Sequence, residues 1–227
     1  MWLALDTATD RASLALGGPA GLVAEGEIVG ARRHAAGLLP ALDRLLREAH
    51  ATAMDLEAVI LADGPGSFTG LRVAATVAKA LVRARPMPLW VAPSLLGVAR
   101  GAGAPDGQLV VAVSDALRGE VFAGGWRFGP GRVECVLAPT VLTPQALRAR
   151  IGGEARIVGS AAPLLGDVQP SWPQARALLS LVGWHGGVRR IAAPAAWEPD
   201  YGRPAEAQAK WEREHGRPLA VPAGDAR

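Results

Sequence analysis

Residues 63–72 read Asp63-Gly64-Pro65-Gly66-Ser67-Phe68-Thr69-Gly70-Leu71-Arg72. An all-apolar run at 58–62 precedes them, short enough for a buried strand, and alanine-rich residues follow to about 83 with helical spacing. A glycine-rich turn from strand to helix is where α/β folds often hold phosphate. This one departs from the known phosphate patterns. Gly70 is followed by Leu71 and Arg72, not by the lysine and hydroxyl residue of a Walker loop. Thr69 occupies the place of the third glycine in a dinucleotide fingerprint. Two readings stay open: the glycines allow close backbone approach while Phe68 plugs the core, or the backbone binds an anion with help from Arg72.

Upstream, residues 2–6, 12–16 and 21–28 read as short strands separated by turn residues, a meander. Residues 35–49 change to a helical period, with Leu38, Leu42, Leu45 and Ala49 on one face and Leu39 and Leu46 widening it. Pro40 fits the first turn of a helix beginning near residue 38. Ala74, Ala75 and Ala78 leave little bulk on the next helix, so another helix can approach it closely. The glycine-rich stretch 101–107 reads as a linker. Beyond it come strands near 108–114, 120–128 and 132–137, a helix at 144–151, a strand at 155–159 and a helix at 173–182. Strands, helix, strand, helix thus occur twice, which predicts an α/β chain of two lobes. The expected division is 1–103 for the first lobe, 104–203 for a smaller second lobe and 204–227 for a loosely packed helical tail.

Composition narrows the function. The chain has 227 residues and a net charge of +3 from 24 basic and 21 acidic side chains. The arginines are scattered, so no basic arm for nucleic acid is indicated. Cys135 is the single cysteine, which forbids an internal disulfide. The start Met1-Trp2-Leu3-Ala4-Leu5-Asp6 has no basic region or long apolar stretch, and no segment has the roughly 20 apolar residues of a membrane helix. A cytoplasmic protein is expected, without a membrane partner.

His34, His50, His185 and His215 make no metal pair at helical spacing, and Ser67 lies in no nucleophile elbow, so neither a metal site nor a catalytic residue is expected. His34 reads as a helix-start residue. Five of the seven tryptophans, Trp126, Trp172, Trp184, Trp197 and Trp211, lie in the second half and read as core and lobe-interface packing.

These motifs together resemble the TsaB (YeaZ) family of the actin-like ATPase superfamily. The resemblance rests on residues 3–9, on His34-Ala35-Ala36-Gly37-Leu38-Leu39-Pro40, on the nonapeptide 64–72, on residues 115–122 and on Pro199-Asp200-Tyr201-Gly202-Arg203. It implies two actin-like (ribonuclease H-like) lobes of mixed sheets flanked by helices. It further implies a non-catalytic subunit, without a cofactor, that binds and activates TsaD in forming threonylcarbamoyladenosine beside the anticodon of tRNA. TsaE and tRNA would be met through that complex. Partner-binding residues would be Leu38, Leu39, Leu42, Leu45, Leu46, Ala49, Leu71, Ala74, Ala75 and Ala78, and the same surface could form a homodimer. Asp6, Thr7, Thr9 and Asp115 occupy the positions of vestigial phosphate loops. The family's Asp-Ala-Arg is Asp115-Ala116-Leu117 here. The alternatives are a free-standing ATP-binding or ATP-hydrolysing member, a peptidase, or an RNA-binding module.

Overall fold

In the structure, a computed structural model, residues 1–18, 20–30, 33–166, 168–203 and 214–216 are described. The expected helical tail from 204, with Trp211, lies outside them apart from 214–216.

Strands β1 (Trp2–Asp6), β2 (Arg11–Gly18) and β3 (Gly21–Val29) form the antiparallel meander. Helix α1 (His34–Glu48) crosses to β4 (Ala58–Ala62), and α2 (Phe68–Ala84) crosses to β5 (Leu89–Ala92). Both β4 and β5 run parallel to β1. Helix α3 (Ser94–Gly101) leads to the second sheet, built from β6 (Leu109–Asp115), β7 (Val121–Gly129), β8 (Arg132–Leu142) and, after α4 (Pro144–Ile151), β9 (Arg156–Val158). Its order, β8-β7-β6-β9 with β9 parallel to β6, is a shortened copy of β3-β2-β1-β4 in the first. The two actin-like lobes are thus visible in the topology.

The last segment departs from the expected division. Helix α5 (Ala175–Leu179) packs on β1, β2 and β3, and β10 (Arg189–Arg190) pairs with β5 at the edge of the first sheet. Ile191 and Trp197 join the first lobe's core. The chain therefore returns home after the second lobe, and 104–203 is not one unit.

A period-two alternation explains how the layers fit. Leu3, Leu5, Leu14, Leu16, Val59 and Leu61 point to the side covered by α1 and α2. Ala4, Ala15, Ile60 and Ala62 point to the side where α3 and α5 lie against the second lobe. Large residues fill the outer layer, and the alanines beside Ile60 let the inner helices sit close. A third cluster, including Val111, Val113 and Leu147, covers the far face of the second sheet.

Helix α1 begins at His34, earlier than its proline implied, so Pro40 falls inside the helix. Proline there forfeits one backbone hydrogen bond. A ring nitrogen of His34 lies 2.7 Å from the Thr9 carbonyl and ties the helix start to the turn between β1 and β2.

Ala15→Leu, which thickens the inner layer, is expected to lower stability by about 1–3 kcal/mol, whereas exposed Leu39→Ala changes it by less than about 0.5 kcal/mol. Urea titrations of the two variants check this.

Candidate functional site

The nonapeptide is seated on the end of β1. Thr7 Oγ1 donates to the Gly70 carbonyl at 2.7 Å, and Ser67 N donates to the Ala8 carbonyl at 2.7 Å. Ser67 Oγ accepts from Gly70 N at 3.2 Å and caps α2. From a second side, Gly64 N donates to Ser94 Oγ at 3.0 Å while Ser94 N donates to the Gly64 carbonyl at 2.7 Å. From a third, Asp200 N donates to the Asp63 carbonyl at 2.7 Å.

Glycine is required by these contacts. A Cβ on Gly70 would stand 2.0 Å from the Thr7 carbonyl oxygen, and one on Gly66 would stand 2.4 Å from that of Ala8. Gly64 combines a φ of +115° with the Asp200 carbonyl 1.8 Å from where its Cβ would lie. The close-approach reading of the glycines is thus the one realised. Amides of Gly64, Ser67 and Gly70 are spent on protein oxygens, so they cannot cradle an anion.

Asp6 and Thr7 are buried. Burial pushes the Asp6 carboxyl up to about 7, against the pull of an Ala8 N–H donated to Oδ1 at 2.9 Å, and Oδ2 has no partner. Asp63 is likewise pushed up by burial, to about 6, although Arg189 lies 2.9 Å from its Oδ2. His34 is buried, and its Nε2 must carry the hydrogen because it faces a carbonyl.

The loop turns its other side outward. Phe68 is 36 % exposed and does not plug the core as one reading had it. Its ring lies 4.6 Å from that of Tyr201, and the Arg72 guanidinium sits 4.0 Å above it while donating to Tyr201 Oη at 3.1 Å. Next to Tyr201, Arg203 pairs with Glu120 and lies 5.8 Å over Phe122. Contacts between residues 133 positions apart (Phe68 and Tyr201) and 83 apart (Arg203 and Glu120) thus link the two lobes.

The expected partner-binding residues divide. Leu38, Leu42, Leu45, Leu46, Leu71, Ala74, Ala75 and Ala78 are buried in the first lobe's own core, and Ala49 is half-buried against it. The wide apolar stripe of α1 serves the sheet beneath it, which corrects its reading as a spare surface. Leu39 is 60 % exposed and keeps a free face. Of the phosphate-loop positions, Thr7 is committed to Gly70, Thr9 Oγ1 donates to the Arg11 carbonyl at 2.9 Å, and Asp115 is exposed and accepts from Leu117 N at 2.7 Å. No group of three or more metal-binding side chains exists among the described residues, and none of their helices is long and apolar enough to cross a membrane. Trp126 and Trp197 pack as expected, while Trp172 lies beneath Arg11 and Trp184 beneath Arg100. What the sequence reading missed is the pairing of Phe68 and Arg72 with Tyr201; a tyrosine between aspartate and glycine in a late loop was its only signal.

A family model described as "TsaD: tRNA N6-adenosine threonylcarbamoyltransferase" matches residues 27–154. The chain is 32 % identical to the tRNA threonylcarbamoyladenosine biosynthesis protein TsaB of Bacillus subtilis over 60 % of its own length and 58 % of that protein's. With the Escherichia coli TsaB it shares 34 % identity over 53 % of itself and 52 % of that protein. The match therefore spans little more than half of these curated relatives. An uncharacterized protein of Mycobacterium tuberculosis is 34 % identical over 80 % of this chain and 84 % of its own. Among solved structures, YeaZ from Pseudomonas aeruginosa superposes with a TM-score of 0.69 at 27 % identity, covering 96 % of this chain and 99 % of that one.

Because the carboxyls of Asp6 and Asp63 sit above their unfolded value, the unfolded chain ionises first as pH rises. Their contribution to stability is therefore lost between about pH 4 and pH 7, by roughly 4 kcal/mol for Asp6. Asp6→Asn is expected to flatten that fall; chemical denaturation at pH 5 and pH 8 measures it.

Proposed function

The chain belongs to the TsaB (YeaZ) family, and on that premise we propose that it is a non-catalytic subunit that binds and activates a TsaD-type transferase in forming threonylcarbamoyladenosine on tRNA. The observation that carries this reading is the filled phosphate position. At the strand end where an ATPase of this architecture would engage phosphate, Thr7 is bonded to Gly70 of the chain's own glycine loop, and Asp6 is buried with its Oδ2 towards Gly97 of α3. Asp115, the matching position of the second lobe, stabilises a turn instead. A fold without an open reaction site can still serve by what it displays.

The displayed surface is the outer side of α1 and the start of α2. Ala35, Ala36, Leu39 and Pro40 are exposed on one, and Ser67, Phe68, Thr69 and Arg72 on the other. Apolar and aromatic groups with an arginine are the composition of a contact centre. The loop beneath is pinned from three sides, so little order is lost on binding. The transferase would be the direct partner. TsaE and tRNA would be reached through the complex, and the same face could pair two copies of this chain.

Co-purification with the cognate transferase, followed by mass measurement of the complex, tests the reading. Leu39→Glu and Phe68→Glu are expected to remove the complex without changing the thermal midpoint, and to lower the threonylcarbamoyladenosine content of tRNA in cells relying on the variant. A complex that persists in both variants would shift the surface elsewhere. Binding of magnesium-ATP to the isolated chain, read by calorimetry, would overturn the non-catalytic assignment.

A further inference from the structure

The turn between β6 and β7 holds a backbone that its side chains resist. Leu117, Arg118 and Gly119 follow one another with φ of 62°, 59° and 77°. Glycine adopts such angles freely, whereas leucine and arginine are strained by them. The turn is nonetheless well fastened. Leu117 N donates to Asp115 Oδ1 at 2.7 Å, Ala116 N to the Glu120 carbonyl at 3.0 Å and Glu120 N to the Leu117 carbonyl at 3.1 Å.

Leu117 adds a second unfavourable feature, since its side chain is 69 % exposed. Asparagine or glycine would make this reversal with less strain and without an apolar group in water. Strain and exposed hydrophobic surface at one residue are what a retained contact looks like before its partner arrives.

The tip is continuous with the surface already described. Glu120 pairs with Arg203, whose guanidinium lies 5.8 Å over Phe122. Gly202 packs so closely on Phe122 and Pro65 that a Cβ there would come within 2.7 Å of both. Tyr201 then touches Phe68, and Arg72 covers Phe68. A chain of contacts, passing through buried Phe122 and Pro65, thus links the start of α2 in the first lobe to the β6–β7 tip of the second.

We propose that Leu117 is the second-lobe anchor of the contact with the transferase, an inference that rests on the partner reading above. The leucine enters an apolar recess of the transferase. The chemistry favours protein over RNA. Arg203 is already neutralised by Glu120, and Asp115 lies within the turn, which dilutes positive potential. A leucine side chain offers a nucleobase neither a flat face nor a hydrogen bond, whereas a desolvated apolar knob is ordinary in protein contacts.

The test measures affinity for the purified cognate transferase by calorimetry and the thermal midpoint of this chain alone. Leu117→Gly and Leu117→Asn are expected to hold or raise the midpoint while weakening the complex roughly tenfold to a hundredfold, the effect of losing one buried leucine. Leu117→Met, which keeps an apolar side chain, is expected to stay within about threefold. If the unaltered chain binds and Leu117→Gly binds equally well, the inference fails and the partner reading stands. If the unaltered chain does not bind the transferase, both fail. Loss of tRNA affinity or of self-association in Leu117→Gly, with transferase binding unchanged, also overturns it.

Discussion

The structure depends on how closely the glycine loop lies on the end of β1. Two hydrogen bonds, from Thr7 Oγ1 to Gly70 and from Ser67 N to Ala8, join backbone segments 60 residues apart at a distance only glycine permits. This seating starts α2 through the Ser67 cap and aims Phe68, Thr69 and Arg72 outward. One arrangement thus fixes the inner side of the loop and displays its outer side.

Burying Asp6 without a partner for Oδ2 is unfavourable unless the carboxyl holds its proton, and its pKa of about 7 reflects this. A core designed for stability alone would place an apolar or amide group there.

The fold was legible because its strong signals are local. Alternation in the meander, the short apolar run before Gly64 and the helical period after it predicted element types and two lobes. The site was only partly legible. The stripe Leu38, Leu42, Leu45 looked wider than one core requires, yet the six-stranded sheet beneath is broad enough to cover it. Amphipathic pattern reports that a face is buried, not by what. Phe68 was read inward since aromatics usually pack, but its helix starts on the outer rim of the sheet. Tyr201 could not be matched to Phe68 from spacing, because 133 positions separate contacts that only the folded path brings together. The strain at Leu117 has no sequence signature of its own.

The return of the chain to its first sheet bears on how the molecule is made. A ribosome releases the meander, α1 and α2 early, but the inner face of that sheet waits for α5, and its edge strand waits for β10. The amino-terminal lobe is consequently completed only late in synthesis, and β8 of the second lobe likewise waits for its contact with His185. Until residue 200 has emerged to hold Asp63, the glycine loop lacks one of its three supports. The full support of this loop thereby waits for near-complete synthesis.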